Sequence, residues 1–85
     1  MNGRLQDYIE FDDGYAIVKM SPPQEAIGFT LAQSAIRTKY GVTVVGVKAP
    51  GEDFTHAVPE TKVNANHTLI VSGPSDLVEQ LVARP

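Results

Sequence analysis

Two β-rich runs separated by a short turn constrain the fold of this chain more than any other feature of its sequence. Residues 7–11 and 15–20 are rich in β-branched and aromatic side chains, and residues 12–14 between them read Asp-Asp-Gly. Acidic residues followed by glycine are typical of a tight turn between paired strands. The pattern predicts an antiparallel hairpin, which Pro22 and Pro23 end because proline lacks the N–H that a strand ladder needs.

A helix and a strand are predicted next. Thr30 can act as an N-cap, and Gly41 suits the left-handed position that ends a helix. Apolar side chains recur at helical spacing between them, at Leu31, Ala35, Ile36 and Tyr40. We expect one helix of about three turns. Residues 42–48 follow as a nearly continuous β-branched run, which predicts a central strand covered on both faces.

The second half of the chain predicts two more strands and a second helix. Residues 54–58 form a short strand that Pro59 closes, and residues 67–73 form the last strand. Ser75 is a candidate helix cap, and the helix is expected to end at residues 84–85. Its apolar stripe consists of Leu77, Val78, Leu81 and Val82. The order is β-β-α-β-β-β-α, an α+β sandwich with a mostly antiparallel sheet and two helices.

Length and charge limit the classes of function. The 85 residues predict a single domain with a thin core, in which residues 1–6 are a disordered or cloning-derived lead-in. Net charge is -3 and the seven basic residues are scattered, which argues against nucleic-acid binding. No apolar run approaches the roughly 18 residues of a membrane span. The absence of cysteine favours a cytoplasmic location.

We find no catalytic or metal-binding motif in the sequence. His56 and His67 have no carboxylate at metal-ligand spacing, and Asp12 and Asp13 are most simply turn residues. No glycine-rich phosphate-binding loop is present. We therefore expect a protein that is not an enzyme, with no intrinsic cofactor and with ordinary strand histidines.

One corner of the chain has the residue types of a ligand site. Ile36 and Arg37 lie in the predicted helix, and Val42, Thr43 and Val44 open the strand that follows. A guanidinium can bind phosphate with two hydrogen bonds, and branched aliphatic side chains can cover a flat base. The corner can therefore bind an anionic ligand with an apolar face. The alternative is that Arg37 is a solvated charge that the helix dipole favours.

From residue 7 to residue 81 the chain resembles the RCK C-terminal domain, also called TrkA-C. This domain is the regulatory lobe of bacterial potassium-uptake and potassium-channel gating proteins. The segments that carry the resemblance are DYIEFDDGYAIVKM, IGFTLAQSAIRTKYGVTVVGVKAP, HAVPET and NHTLIVSGPSDLVEQL. The resemblance implies a homodimer that lies at the inner face of the membrane through a potassium channel or transporter subunit. It also implies a preceding nucleotide-binding lobe of the same protein.

The resemblance further implies a regulatory ligand. Some members of the family bind cyclic di-AMP at the dimer junction of this lobe, which closes potassium uptake. By this resemblance the pocket consists of Leu31, Ala35, Ile36, Arg37, Val42, Thr43, Val44 and Pro59. We therefore expect a ligand-sensing and dimerisation domain. Two alternatives keep the fold: a pure assembly module without its own ligand, and the equivalent lobe of a cation/proton antiporter.

Overall fold

The computed structural model describes residues 5–83, in which five antiparallel strands form one sheet. The strands are β1 (Leu5–Glu10), β2 (Tyr15–Met20), β3 (Thr43–Lys48), β4 (Thr55–His56) and β5 (Thr68–Pro74). The helices are a 3-10 turn at Gln24–Ala26, α1 (Leu31–Ser34), α2 (Ile36–Tyr40) and α3 (Ser75–Val82). The strands are ordered β1-β2-β5-β3-β4. The predicted α+β class is confirmed, with the first predicted helix divided into α1 and α2.

The predicted hairpin is formed by β1 and β2. Ile9 pairs with Ile17, and the turn contains Gly14, whose φ of 81° is a conformation that glycine adopts without strain. The first strand begins at Leu5 and ends at Glu10, whereas residues 7–11 were predicted. Residues 5 and 6 therefore belong to the sheet and not to the predicted lead-in, and residues 1–4 lie outside the described part of the chain.

The central strand of the sheet is β5, so the prediction that residues 42–48 form the central strand was wrong. β5 pairs with β2 on one side and with β3 on the other, while β3 borders the two-residue strand β4. Thr43 and Val45 of β3 are exposed, so this strand is not covered on both faces. β-branched residues indicate that a strand forms, but its place in the sheet depends on pairings with distant residues.

The core lies between one face of the sheet and the helices α2 and α3. Alternate side chains of β2 and β5 enter it, since successive residues of a strand point to opposite faces. The core residues of these strands are Ala16, Val18, Met20, Leu69 and Val71. Val78 and Leu81 of α3 and Ile36 of α2 pack against them and are at most 1% exposed. Burying one such side chain contributes about 1.5–3 kcal/mol.

Helix α3 begins without the predicted serine cap. Pro74 occupies the N-cap position and Ser75 is the first helical residue. The Ser75 N–H donates to the Gly14 carbonyl at 2.8 Å, whereas the Ser75 hydroxyl is buried without a partner in the described part. Asp76 supplies a negative charge in the first turn, which the helix dipole favours. The helix ends at Val82, and the predicted end at residues 84–85 lies outside the described residues.

Strand β4 is shorter than the predicted strand over residues 54–58. It pairs only with Gly46 and Val47, and the chain then turns at Pro59. Beyond β4 a backbone bond of 3.4 Å joins the Ala57 N–H to the Val45 carbonyl. The first half of β3 therefore forms an open edge of the sheet, next to residues 57–59.

Candidate functional site

The helix predicted between the Thr30 cap and Gly41 consists of two short helices that meet at Ala35. The start of α1 is capped as predicted: the Thr30 hydroxyl accepts from the Gln33 N–H at 3.1 Å, and the Gln33 side chain accepts from the Thr30 N–H at 3.0 Å. Ala35 has φ 56° and ψ 32°, which is left-handed backbone. This conformation costs an L-residue about 1–2 kcal/mol. The prediction of one continuous helix was therefore wrong, and Ala35 is the one non-glycine residue with positive φ among residues 5–83.

Because the helix is broken at Ala35, α1 and α2 can contact different parts of the domain. On the α1 side, the Leu31 N–H donates to the Thr61 carbonyl at 2.9 Å and the Ala32 N–H donates to the Pro59 carbonyl at 3.0 Å. On the α2 side, Ile36 is buried in the core. We infer that these contacts offset the backbone cost at Ala35.

Helix α2 ends at Tyr40, and Gly41 follows it in the left-handed conformation, as predicted. Gly41 has φ 71° and its N–H donates to the Arg37 carbonyl at 3.0 Å. The Tyr40 hydroxyl donates to Glu25, and Lys39 Nζ lies 2.5 Å from the same carboxylate. These contacts join α2 to the 3-10 turn and orient the residues that precede β3.

An open cleft of about 410 Å³ lies between α1, α2, the open edge of β3 and the segment that follows β4. Its volume is within the usual range for small-molecule sites. Most lining residues are apolar, and the polar ones are Arg37, Thr38 and Thr43. The lining consists of Leu31, Ala32, Ala35, Ile36, Arg37, Thr38, Thr43, Val44, Ala57, Val58 and Pro59.

Seven of the eight predicted site residues line this cleft, and one does not. Those that line it are Leu31, Ala35, Ile36, Arg37, Thr43, Val44 and Pro59. Val42 is 1% exposed and packs in the core, where a Cβ on Gly73 would lie 3.0 Å from its Cγ1. The binding role of the seven stays a prediction.

Sequence reasoning missed four residues of the lining. Ala32 and Thr38 belong to α1 and α2, so helical spacing from the predicted residues is a signal that points to them. Ala57 and Val58 reach the cleft only because β4 pairs with β3 and the chain then turns at Pro59. No local signal in residues 57–58 indicates that proximity.

The charge at the cleft comes from Arg37, which is exposed. The one ion pair in the described part of the chain joins Lys39 to Glu25, so Arg37 forms none there. Val58 of the lining is an exposed apolar residue, and so is Val45 of β3, whose carbonyl accepts a hydrogen bond from the Ala57 N–H of the lining. The cleft therefore combines an apolar interior with one available guanidinium.

The described residues give less support for a metal site or a membrane-spanning helix. Within residues 5–83 no group of three or more His, Asp and Glu residues is placed to bind a metal ion. His56 is an exposed residue of β4, whereas His67 lies just before β5 (Thr68–Pro74) and not in a strand as predicted. The His67 Nδ1 accepts from the Asn64 N–H at 3.2 Å. None of the described helices has the length and apolar character needed to cross a membrane.

Comparison with known families identifies the domain. The family described as the TrkA-C domain matches residues 15–84. The chain belongs to the TrkA-C family. The predicted resemblance to the RCK C-terminal domains of bacterial potassium-transport and channel-gating proteins is thereby confirmed. Among curated proteins, none matches the chain significantly.

Solved structures show the same fold. The RCK domain of GsuK superposes with a TM-score of 0.75 at 22% identity, over 96% of this chain and 19% of that one. A GsuK channel bound to NAD superposes with a TM-score of 0.71 at 28% identity, over 84% of this chain and 14% of that one. A third structure is the RCK C domain of the potassium transport protein KtrA in complex with cyclic diadenosine monophosphate. It superposes with a TM-score of 0.68 at 22% identity, over 80% of each chain. This TrkA-C chain thus spans a fifth or less of the two GsuK chains and most of the KtrA domain.

Proposed function

We propose that this TrkA-C domain is the ligand-sensing and dimerisation domain of a potassium uptake or channel-gating protein, with cyclic di-AMP bound at its dimer junction. The observation that carries the proposal is the open apolar cleft with Arg37 in its lining. In this proposal the domain regulates and does not catalyse. It acts in the cytoplasm, after a nucleotide-binding lobe of the same protein, and reaches the membrane through a transport subunit.

The chemistry of the cleft suits one half of a cyclic dinucleotide. Adenine has flat apolar faces, which Leu31, Val44 and Pro59 are placed to cover. Each phosphate carries a negative charge, and a guanidinium can donate two parallel hydrogen bonds to it. Thr43 contributes one hydroxyl, which can donate or accept toward the base.

The symmetry of the ligand supports a dimer junction. Cyclic di-AMP has two identical halves, and a two-fold dimer presents the same residues twice around its axis. One copy of the chain offers an open cleft, which suits a half-site that a second copy completes. Val58 of the cleft lining is 48% exposed and Val45 of the adjoining strand β3 is 45% exposed, and a second copy that covers them would remove this apolar surface from water.

A related complex supports the choice of ligand. The KtrA RCK C domain binds cyclic diadenosine monophosphate in the solved structure that superposes on this chain. The fold is common to both domains, and the ligand of this chain is our proposal.

The proposal predicts selective binding. Calorimetric titration with cyclic di-AMP, cyclic di-GMP and adenosine monophosphate should give binding of cyclic di-AMP, with one ligand per dimer. A flat response to all three ligands would contradict ligand sensing and favour the assembly module, for which the exposed apolar surface beside the cleft is the supporting observation.

Arg37→Ala should weaken cyclic di-AMP binding by at least about 100-fold, because two charge-assisted interactions with phosphate are lost per dimer. The two proteins are titrated side by side, with circular dichroism to show that the fold is retained. Lys48→Ala, which removes a positive charge outside the cleft lining, should leave the affinity unchanged. If Arg37→Ala binds as tightly as the wild type, Arg37 is a surface charge and the ligand site lies elsewhere.

The chain should be a dimer in solution without ligand, because a thin core and exposed apolar side chains leave surface that a second copy covers. Light scattering at tens of micromolar should give twice the mass of one chain. A monomer at that concentration would contradict the dimer.

A further inference from the structure

We propose that the outer edge of β1 is a docking surface for an extended, basic segment of another polypeptide, which adds to the sheet as a sixth strand. β1 is the first strand in the order β1-β2-β5-β3-β4, so it lies at the opposite edge of the sheet from β4 and the cleft. The surface is therefore separate from the site proposed for cyclic di-AMP, and its test does not require that ligand.

The backbone of β1 is paired on one side only. Its six residues bond to β2, and no backbone bond from elsewhere in residues 5–83 reaches the other side of the strand. The strand at the other edge, β4, has only two residues. An open edge strand presents a row of unpaired N–H and C=O groups, which an extended chain joins by strand addition.

The side chains of β1 differ between the two faces of the sheet. Tyr8 pairs with Val18, whose side chain is in the core, so Tyr8 and Glu10 lie on the face that carries the helices. Asp7 and Ile9 lie on the other face, where Ile9 is 57% exposed. A strand that pairs with β1 therefore places alternate side chains beside an exposed apolar residue on one face and beside Glu10 on the other.

Two carboxylates lie close together on the helix face of this edge. The Tyr8 hydroxyl is 3.3 Å from Oε1 of Glu10 and 3.3 Å from Oε2 of Glu79 in α3. Partial burial and the negative charges of these two residues raise the pKa of Tyr8. Neither carboxylate forms an ion pair within residues 5–83. A lysine or arginine side chain of an added strand would therefore have two charged acceptors there.

The charge around β1 is negative. Residues 5–20 and 75–83 contain six acidic residues and one basic residue, Lys19. Lys19 pairs with Asp7 in the sheet, but its Nζ lies 5.8 Å from the ring centroid of Phe54, which is beside β3 and away from β1. The edge therefore attracts a basic segment. It disfavours the β1 strand of a second copy, which carries the same negative charges.

Peptides of about six residues, the length of β1, test the proposal. The probe alternates lysine and valine, so that valine side chains lie beside Ile9 while lysine side chains lie on the helix face. A second peptide of the same sequence is N-methylated along its backbone, which keeps the charge but removes the N–H donors. A third peptide replaces lysine with glutamate. Binding and amide hydrogen exchange are followed by NMR at low salt.

The lysine–valine peptide should bind and should slow amide exchange at alternate residues of β1 by at least about tenfold. Its affinity should fall with added salt. Glu10→Gln with Glu79→Gln should weaken binding by about fivefold, and glutamine still offers an acceptor to Tyr8. The matched control is Glu52→Gln with Glu60→Gln, which removes the same charge from exposed residues outside β1 and α3 and should leave the affinity unchanged.

Four results would overturn the proposal. Equal binding of the N-methylated peptide would mean that no strand is added, and equal binding of the glutamate–valine peptide would mean that charge does not select the partner. The third is no binding of the lysine–valine peptide at about 1 mM. The fourth is slow exchange in β1 that appears without peptide as the protein concentration rises, which would assign the edge to a second copy.

Discussion

Helix α3 and the α1–α2 pair are the two α-helical regions of residues 5–83, and only α3 is continuous. α1 begins with a complete capping box, whereas α3 has proline at its N-cap and no side-chain cap. α3 buries Val78 and Leu81 against β2 and β5, while α1 exposes Ala32 and Gln33. Local capping therefore specifies where a helix begins, but its continuity follows from a face that is buried along the whole length.

The largest loss of stability should come from a substitution on the buried face of α3. Leu81→Ala removes a fully buried side chain and should lower the free energy of unfolding by about 2–5 kcal/mol. Urea denaturation measures it, with Gln80→Ala on the exposed face as the control, expected to stay within about 0.5 kcal/mol of the wild type. A loss below about 1 kcal/mol for Leu81→Ala would contradict the contrast drawn between α3 and the α1–α2 pair, because α3 would not then be stabilised mainly by burial.

A smaller loss should follow from a change at the end of α2. Gly41→Val should destabilise the domain by about 1–3 kcal/mol, because a β-branched residue resists positive φ. A new Cβ would also lie 3.0 Å from Leu77 Cδ1 of α3. Thermal melts measure the loss, and Gly41→Ala separates the cost of any Cβ from the cost of branching. Equal melting of Gly41→Val and the wild type would mean that α2 does not end at Gly41.

The smallest loss of stability should come from removal of the cap of α1. Thr30→Ala removes the hydroxyl that accepts from Gln33 and should lower the free energy of unfolding by about 0.5–1 kcal/mol. Thr30→Ser keeps a capping oxygen and serves as the control in the same denaturant titration. Equal stabilities of the alanine and serine variants would show that the capping box does not stabilise α1.

The local turn chemistry of the chain was predictable from sequence. Gly14 and Gly41 lie where turns require positive φ, and Thr30 caps α1 as expected. The contribution of Arg37 to a corner beside β3 was also predictable, because a helix end and the next strand are close in sequence. Each of these features depends on neighbours within a few residues.

The central position of β5, the burial of Val42 and the presence of Val58 in the cleft were not predictable in this way. β5 is central because it pairs with both β2 and β3, and Val42 is in the core beside Gly73. These contacts join segments that are distant along the chain. Pairing preferences between short β-rich runs are too similar to rank the partners.

Sequence by itself determined that the chain forms a hairpin, helices that begin and end at defined residues, and an α+β domain of the TrkA-C family. The hairpin, the helix ends and the α+β class follow from turn residues, caps and apolar spacing, which act through bonds to near neighbours. The family followed from the resemblance of segments of the sequence to TrkA-C domains and from the match over residues 15–84. Only the tertiary structure decided that the first helix breaks at Ala35. The cost of left-handed backbone at Ala35 is offset by the backbone bonds of α1 to Pro59 and Thr61 and by the burial of Ile36. These contacts exist only once the sheet is assembled.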